Sequence, residues 1–225
     1  MTPPPARLAP PTRPRSPCLP HAAGDGPGSR LAAKVRAAYN RRYWDAAARR
    51  YVAPPENGKP APHIQTMNVL PVALGLAPDG QAKAVVDSLA ADIVAKGYRL
   101  DVGVYALRYP PLLLSDHGHG EVAWKIVTRT DEPSWGFWLK NDIRSMPEGW
   151  GLGSRSWNHH YFASISSWLY EGSAGIRPTA PGYARLRIQP VMPEGLAQRR
   201  RDLNERRAAR SRTRIGPVTQ SATPL

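Results

Sequence analysis

Three short stretches hold the side chains with the most chemistry to offer: residues 133–139, 145–150 and 157–162. Together they contain four tryptophans (Trp135, Trp138, Trp150, Trp157), one carboxylate (Glu148) and two histidines (His159, His160). Indole faces stack on sugar rings, and a carboxylate among them can activate water. The combination points to carbohydrate chemistry. Glycoside hydrolysis normally uses two carboxylic acids in opposed roles, and these stretches supply one.

Each candidate has a plainer reading beside the functional one. Trp135, Trp138 and Trp150 could wall a sugar pocket, but tryptophan is usually mostly buried, and one of the three is expected in the core. Trp157 and Trp168 lean towards structure. Glu148 beside Gly149 could be a solvated loop glutamate. Adjacent side chains on a helix point about 100° apart, so His159 and His160 are not both expected to face a pocket. His117 and His119 have no Cys or His partners at zinc spacing; they are assigned to a surface loop, and no metal or other cofactor is expected. Asp101, in the loop after Gly97, lies on the side where cleft residues would gather, so it could line a pocket. It is not assigned as a general acid.

The elements that must carry these residues read as short helices. Leu31, Val35, Ala38, Tyr39 and Tyr43 share one helical face. Pro54, Pro55, Pro60 and Pro62 mark a loop. Residues 65–76 form a short helix that Pro71 should kink. Asp79 is a plausible N-cap for the clearest helix, whose stripe is Val85, Val86, Leu89, Ile93 and Val94. Gly97 ends that helix in the left-handed position. Further helices are expected over about 103–114, weakened by Pro110 and Pro111, and over 119–128. Asn158 reads as the N-cap of a last helix reaching Ala174, with Phe162, Ile165, Leu169 and Ala174 on its apolar side. The period then changes to two. Leu186 and Ile188 alternate with Arg185, Arg187 and Gln189, the pattern of a half-buried strand.

Composition bounds the rest. The 225 residues carry a net charge of +14, but residues 1–30 and 197–225 hold +9 of it. A basic balance concentrated in the tails is weak support for nucleic-acid binding, and nucleic acid is not an expected partner. Residues 1–28 contain nine prolines and almost no large apolar side chains, so they are expected to be disordered, as is the basic stretch 197–225. No run of 18 apolar residues occurs, so no membrane span is expected. With no secretory signal pattern either, the cytoplasm is the default compartment. The single cysteine, Cys18, excludes an internal disulfide framework.

Several ordered motifs resemble the bacterial α-L-rhamnosidase family. They are Gln65-Thr-Met-Asn-Val-Leu-Pro-Val-Ala-Leu-Gly-Leu76, Gly97-Tyr-Arg-Leu-Asp-Val-Gly103, Glu132-Pro-Ser-Trp-Gly-Phe-Trp138, Met146-Pro-Glu-Gly-Trp150, Asn158-His-His-Tyr-Phe-Ala-Ser164 and Trp168-Leu-Tyr-Glu-Gly-Ser-Ala-Gly-Ile-Arg-Pro178. The resemblance covers roughly residues 31–195. It implies a mainly α chain: part of an (α/α)6 six-hairpin toroid, here the C-terminal half over 29–178, followed over 179–196 by the start of a C-terminal β-sandwich. It also implies inverting hydrolysis of terminal α-L-rhamnosides. Glu148 stands where the family's general base polarises the attacking water, and His159 matches a histidine that contacts rhamnose. Two departures accompany the resemblance. The match begins inside the barrel, so the family's general acid falls outside it, and Pro147 stands where the family often has another residue. The expectation is a rhamnosidase-like segment that is inactive or nearly so by itself. A non-catalytic remnant with weak sugar binding is the alternative. The ligand would be a rhamnose-containing glycoside, and an open half-barrel could self-associate through exposed apolar surface.

Overall fold

The computed structural model describes residues 27–55, 63–191 and 193. The two expected disordered tails lie outside the described residues, apart from Pro27 and Gly28, which already belong to the first helix. The described residues up to Val191 belong to one compact unit.

Helices dominate this unit. α1 (Pro27–Tyr43) leads into a two-residue antiparallel pair, β1 (Trp44–Asp45) with β2 (Arg50–Tyr51). Then follow α2 (Gln65–Ala73), α3 (Ala82–Ala95), α4 (Pro110–Asp116), α5 (Gly120–Thr128) and α6 (Trp135–Lys140). α2 packs on α3 and α4 on α5, each pair joined by a short connection. After a long loop come a 3-10 turn (Phe162–Ser164), α7 (Ile165–Trp168) and a wide π turn (Leu169–Ser173). β3 (Ile176–Pro178) and β4 (Leu186–Ile188) close the unit as an antiparallel pair.

One core runs through these helices. Val69 of α2, Val85, Val86, Leu89 and Ile93 of α3, Leu113 and Leu114 of α4 and Ala123 and Ile126 of α5 are all buried. Each Val, Leu or Ile withdrawn from water contributes roughly 1.5–3 kcal/mol. Two polar side chains sit fully inside this core, and both are fully bonded across it. Gln65 donates to Asp92 and to the Arg99 carbonyl, and accepts the Asp101 N–H. Asn68 donates to the Tyr51 and Ile64 carbonyls and accepts the Tyr51 N–H, so it ties the β1–β2 turn to α2. The Tyr51 hydroxyl in turn donates to Asn40 (2.7 Å), and burial pushes its pKa up to about 12.

The helical reading of the sequence holds with several local corrections. Asp79 does not cap α3; Gln81 occupies that position, and Asp79 pairs with Arg36 at 2.6 Å. The same guanidinium and Asn40 bond the carbonyls of Leu76 and Ala77, which docks α1 onto the α2–α3 turn. Leu31 and Val35 lie exposed, so only the Tyr39–Tyr43 end of the α1 stripe packs. Val94 is also exposed. α2 stops at Ala73, two residues past Pro71, whose carbonyl accepts the N–H groups of Leu76 and Ala77. Pro110 and Pro111 begin α4 instead of weakening it, because the first helical positions need no N–H partner. Asn158 is not a cap: a 3-10 turn begins four residues later, and α-helix only at Ile165. The strand at Leu186–Ile188 exists, but Leu186 and Ile188 point outward and Arg187 is the half-buried residue.

Candidate functional site

Glu148 sits on a loop that its own backbone fastens. The Glu148 N–H donates to the Ser156 carbonyl (2.8 Å) and to Ser154 Oγ (3.0 Å), and Ser154 Oγ also accepts from Gly149. Ser154 donates to the Ser156 carbonyl in return, and the His159 N–H closes the loop on the Met146 carbonyl at 2.7 Å. Pro147, next to Glu148, is buried. The Glu148 side chain itself is 42 % exposed. Arg155 Nη2 lies 3.9 Å from its Oε1, but Arg155 is almost fully solvated, so the pair is weak. Glu132 reaches the same loop: a Cβ added at Gly151 would lie 3.4 Å from its Oε1. The sequence stretches singled out for chemistry did not include this second acid.

The three candidate pocket tryptophans form one aromatic cluster behind that loop. Trp150 stacks on Trp138 and meets Trp135 edge-on, with ring centroids 5.0 Å apart in both cases; Phe162 lies 4.5 Å from Trp150. Both inner indoles spend their N–H groups on backbone. Trp135 donates to the Phe162 carbonyl and Trp138 to the Trp150 carbonyl. Trp135 and Trp138 are buried, and Trp138 is only 2 % exposed. The expectation that one of the three is core is therefore too low: two are, and Trp150 alone of them is only partly buried. The reason is the turn of α6, which Ser134 caps through the Phe137 N–H and which directs both indoles inward. Trp168 is core as expected, donating to Ser115 Oγ, whereas Trp157 is exposed.

His159 and His160 lie in loop and turn backbone, not helix, so the 100° separation does not apply. Their rings stack 5.4 Å apart and both contact Tyr161. His160 and Tyr161 line a cleft of about 420 Å³ with Val104, Tyr105, Arg108 and Tyr109. His159 Nδ1 is buried without a hydrogen-bond partner among the described residues. Asp101 is 75 % exposed and pairs loosely with Lys96 at 3.4 Å. Its position is fixed from below by Gln65, which accepts its N–H at 2.7 Å. His117 and His119 are half-buried and bonded, to the Leu113 carbonyl and to Asp87, so neither is a free loop residue. Among the described residues no cluster of three metal-ligating side chains occurs, and no helix is long and apolar enough to cross a membrane.

The paired helices and the loops between them define a helical-hairpin glycosidase fold. The family described as the bacterial alpha-L-rhamnosidase 6 hairpin glycosidase domain matches residues 29–172, and the chain belongs to that family. An alpha-L-rhamnosidase of Streptomyces avermitilis is 35 % identical over 152 residues, covering 62 % of this chain and 14 % of the relative. One from Formosa agariphila is 28 % identical over 143 residues, 60 % of this chain and 15 % of the relative. Among solved structures, alpha-L-rhamnosidase from Dictyoglumus thermophilum superposes with a TM-score of 0.62 at 31 % identity, covering 72 % of this chain and 18 % of that one. The Streptomyces avermitilis enzyme complexed with L-rhamnose superposes at 0.63 and 28 % identity, over 74 % of this chain and 16 % of that one. The chain thus spans about one seventh of the length of the curated relatives it matches.

Proposed function

We propose that this segment forms the base side of an α-L-rhamnosidase site, with Glu148 activating the water that attacks a terminal α-L-rhamnoside with inversion. The observation that carries the reading is the fastened Glu148 loop. Its backbone N–H groups make four hydrogen bonds, while its carboxylate stays 42 % exposed two residues before Trp150. A base must be fixed in direction yet open to water, and this arrangement meets both needs. Trp150 walls the sugar position, backed by Trp135 and Trp138. His159 meets the sugar through the accessible part of its ring, since its Nδ1 is buried, and Asp101 stands at the mouth. On this reading 29–178 are the half-barrel and 179–196 the start of a C-terminal β-sandwich.

The acid that protonates the leaving group comes, on this reading, from outside the matched residues. General acid catalysis contributes about 10²–10⁴-fold, so the 225 residues alone should turn over little or no substrate. Release of nitrophenol from an aryl α-L-rhamnoside tests this, with Glu148→Gln and Glu132→Gln measured alongside. A folded chain without turnover is the expected result. Robust turnover that falls in both variants would overturn the placement of the acid and make Glu132 its source. The second reading, a non-catalytic remnant with weak sugar binding, predicts L-rhamnose binding without turnover in any completed assembly. The exposed side chains of Leu31, Val35, Leu74 and Leu139 also support self-association at raised concentration.

A further inference from the structure

We infer that His63, Asp92 and Gln65 form a pH-sensitive relay that positions Asp101, with Asp92 and Gln65 as positioning residues and His63 as the group that changes state. Its bearing on sugar binding rests on the rhamnoside reading, in which Asp101 stands at the mouth of the site; the relay itself does not. Asp92 of α3 is the hub. Its side chain is mostly buried, and its two oxygens face different partners. Oδ1 lies 3.6 Å from His63 Nδ1. Oδ2 accepts from Gln65 Nε2 at 2.9 Å and lies 3.1 Å from Lys96 Nζ. Both of the Oδ2 partners continue to Asp101. Gln65 Oε1 accepts the Asp101 N–H at 2.7 Å, and Lys96 Nζ lies 3.4 Å from Asp101 Oδ2. Asp92 thus holds the backbone and the carboxylate of Asp101, each through one intermediate side chain. Gln65 Nε2 also donates to the Arg99 carbonyl at 3.2 Å, so a shift of this amide moves both ends of the 99–101 segment.

What changes with pH is His63. Its ring is largely buried, its Nδ1 has no hydrogen-bond partner among the described residues, and Ser88 Oγ lies 3.4 Å from its Nε2. The charged groups that face it are Asp92 of α3, Lys96 at the end of that helix and Arg50 of β2. Burial lowers its pKa, so the ring is uncharged at neutral pH and Asp92 is left to Gln65 and Lys96. Protonation places an N–H and a positive charge on the Oδ1 side of Asp92. A charge-assisted hydrogen bond of that kind is about twice as strong as a neutral one. The carboxylate is then drawn towards His63, Gln65 and Lys96 lose part of their hold on it, and Asp101 shifts with them.

The test is NMR of the purified, isotope-labelled 225-residue chain across pH 5–8. No sugar is present, so the outcome is independent of the rhamnoside reading. The Asp101 amide should shift with the same midpoint as the His63 ring, below about 6.5. His63→Gln should remove that inflection, whereas His119→Gln, which frees the other carboxylate of α3, Asp87, should leave it. Asp92→Asn should move the two midpoints together to lower pH, because Asp92 favours the charged ring. Gln65→Met should keep the ring titration and lose most of the response at Asp101, a split that a merely structural residue would not produce. An Asp101 amide that stays flat while the ring titrates, or that still inflects in His63→Gln, would overturn the inference. So would midpoints that separate in Asp92→Asn, or a ring that takes up no proton above pH 5.

Discussion

At the scale of residues, the site depends on which side chains are spent on packing and which are left for chemistry. Glu148 and Trp150 each combine a fixed backbone or buried edge with a partly exposed side chain. Trp135 and Trp138 do not: both indole N–H groups are used on backbone carbonyls. Trp138→Phe should therefore act on stability, not on sugar contact. It removes a buried donor and leaves the Trp150 carbonyl unpaired, which costs about 1–3 kcal/mol. A fall in the urea midpoint with unchanged sugar binding is the expected result. Trp150→Ala should weaken sugar binding as well. The sequence made Glu148 and the tryptophans legible through residue type and family pattern. It did not show Ser154 and Ser156, whose role is to bond the Glu148 backbone. Serines in a loop carry no periodic signal, and only the folded loop brings them opposite residue 148. Gln65 and Asn68 were open to a closer reading, since two amides three residues apart in an otherwise apolar helix need partners inside the core.

At the scale of elements, close backbone approach limits what the chain tolerates. Gly97 ends α3 with φ of +64°, and a Cβ there would meet nothing within 4 Å. Gly175 has a similar φ of +68°, but a Cβ there would fall 2.0 Å from the Gln189 backbone, where the chain returns after β4. Gly97→Ala should therefore cost about 1–2 kcal/mol, the left-handed penalty alone. Gly175→Ala should cost more than about 3 kcal/mol, because backbone on both sides must move. Chemical denaturation of the two variants measures the difference. Equal losses would show that β3 and β4 do not close as described. The helices of the core were legible because a 3.6-residue period survives in α3 and α5. The helix after Asn158 was not. The chain passes through a 3-10 turn, four α residues and a π turn, and the widening at Leu169 leaves that side chain exposed. The strand face inverted for a related reason: alternation gives the two faces of a strand but not which one the unit covers.

At the scale of the whole molecule, one buried histidine sets a pH response. His63 is 8 % exposed and lies 3.6 Å from Asp92, with Ser88 Oγ 3.4 Å from its other nitrogen. Burial lowers its pKa, and Arg50 and Lys96 add to that, against the opposing pull of Asp92. The unfolded chain then takes up a proton near pH 6.5 while the folded one does not. Stability conferred by neutral His63 is full above that pH. It declines as pH falls below about 6.5 and levels off beneath the folded pKa. Thermal unfolding across pH 5–8 should show this slope, and His63→Gln should flatten it. Exposed apolar residues on α1 and at Leu74 and Leu139 set the second global property. Sedimentation should detect association that rises with concentration and falls in Leu31→Lys.

The proposed role of Glu148 as the base of a rhamnosidase site is tested most directly in a hybrid whose matching part of the Streptomyces avermitilis relative is replaced by residues 29–172. This hybrid should release rhamnose from an aryl α-L-rhamnoside with inversion, and Glu148→Gln should lower turnover by about 10²-fold or more. A folded, active hybrid whose turnover is unchanged by Glu148→Gln would contradict it.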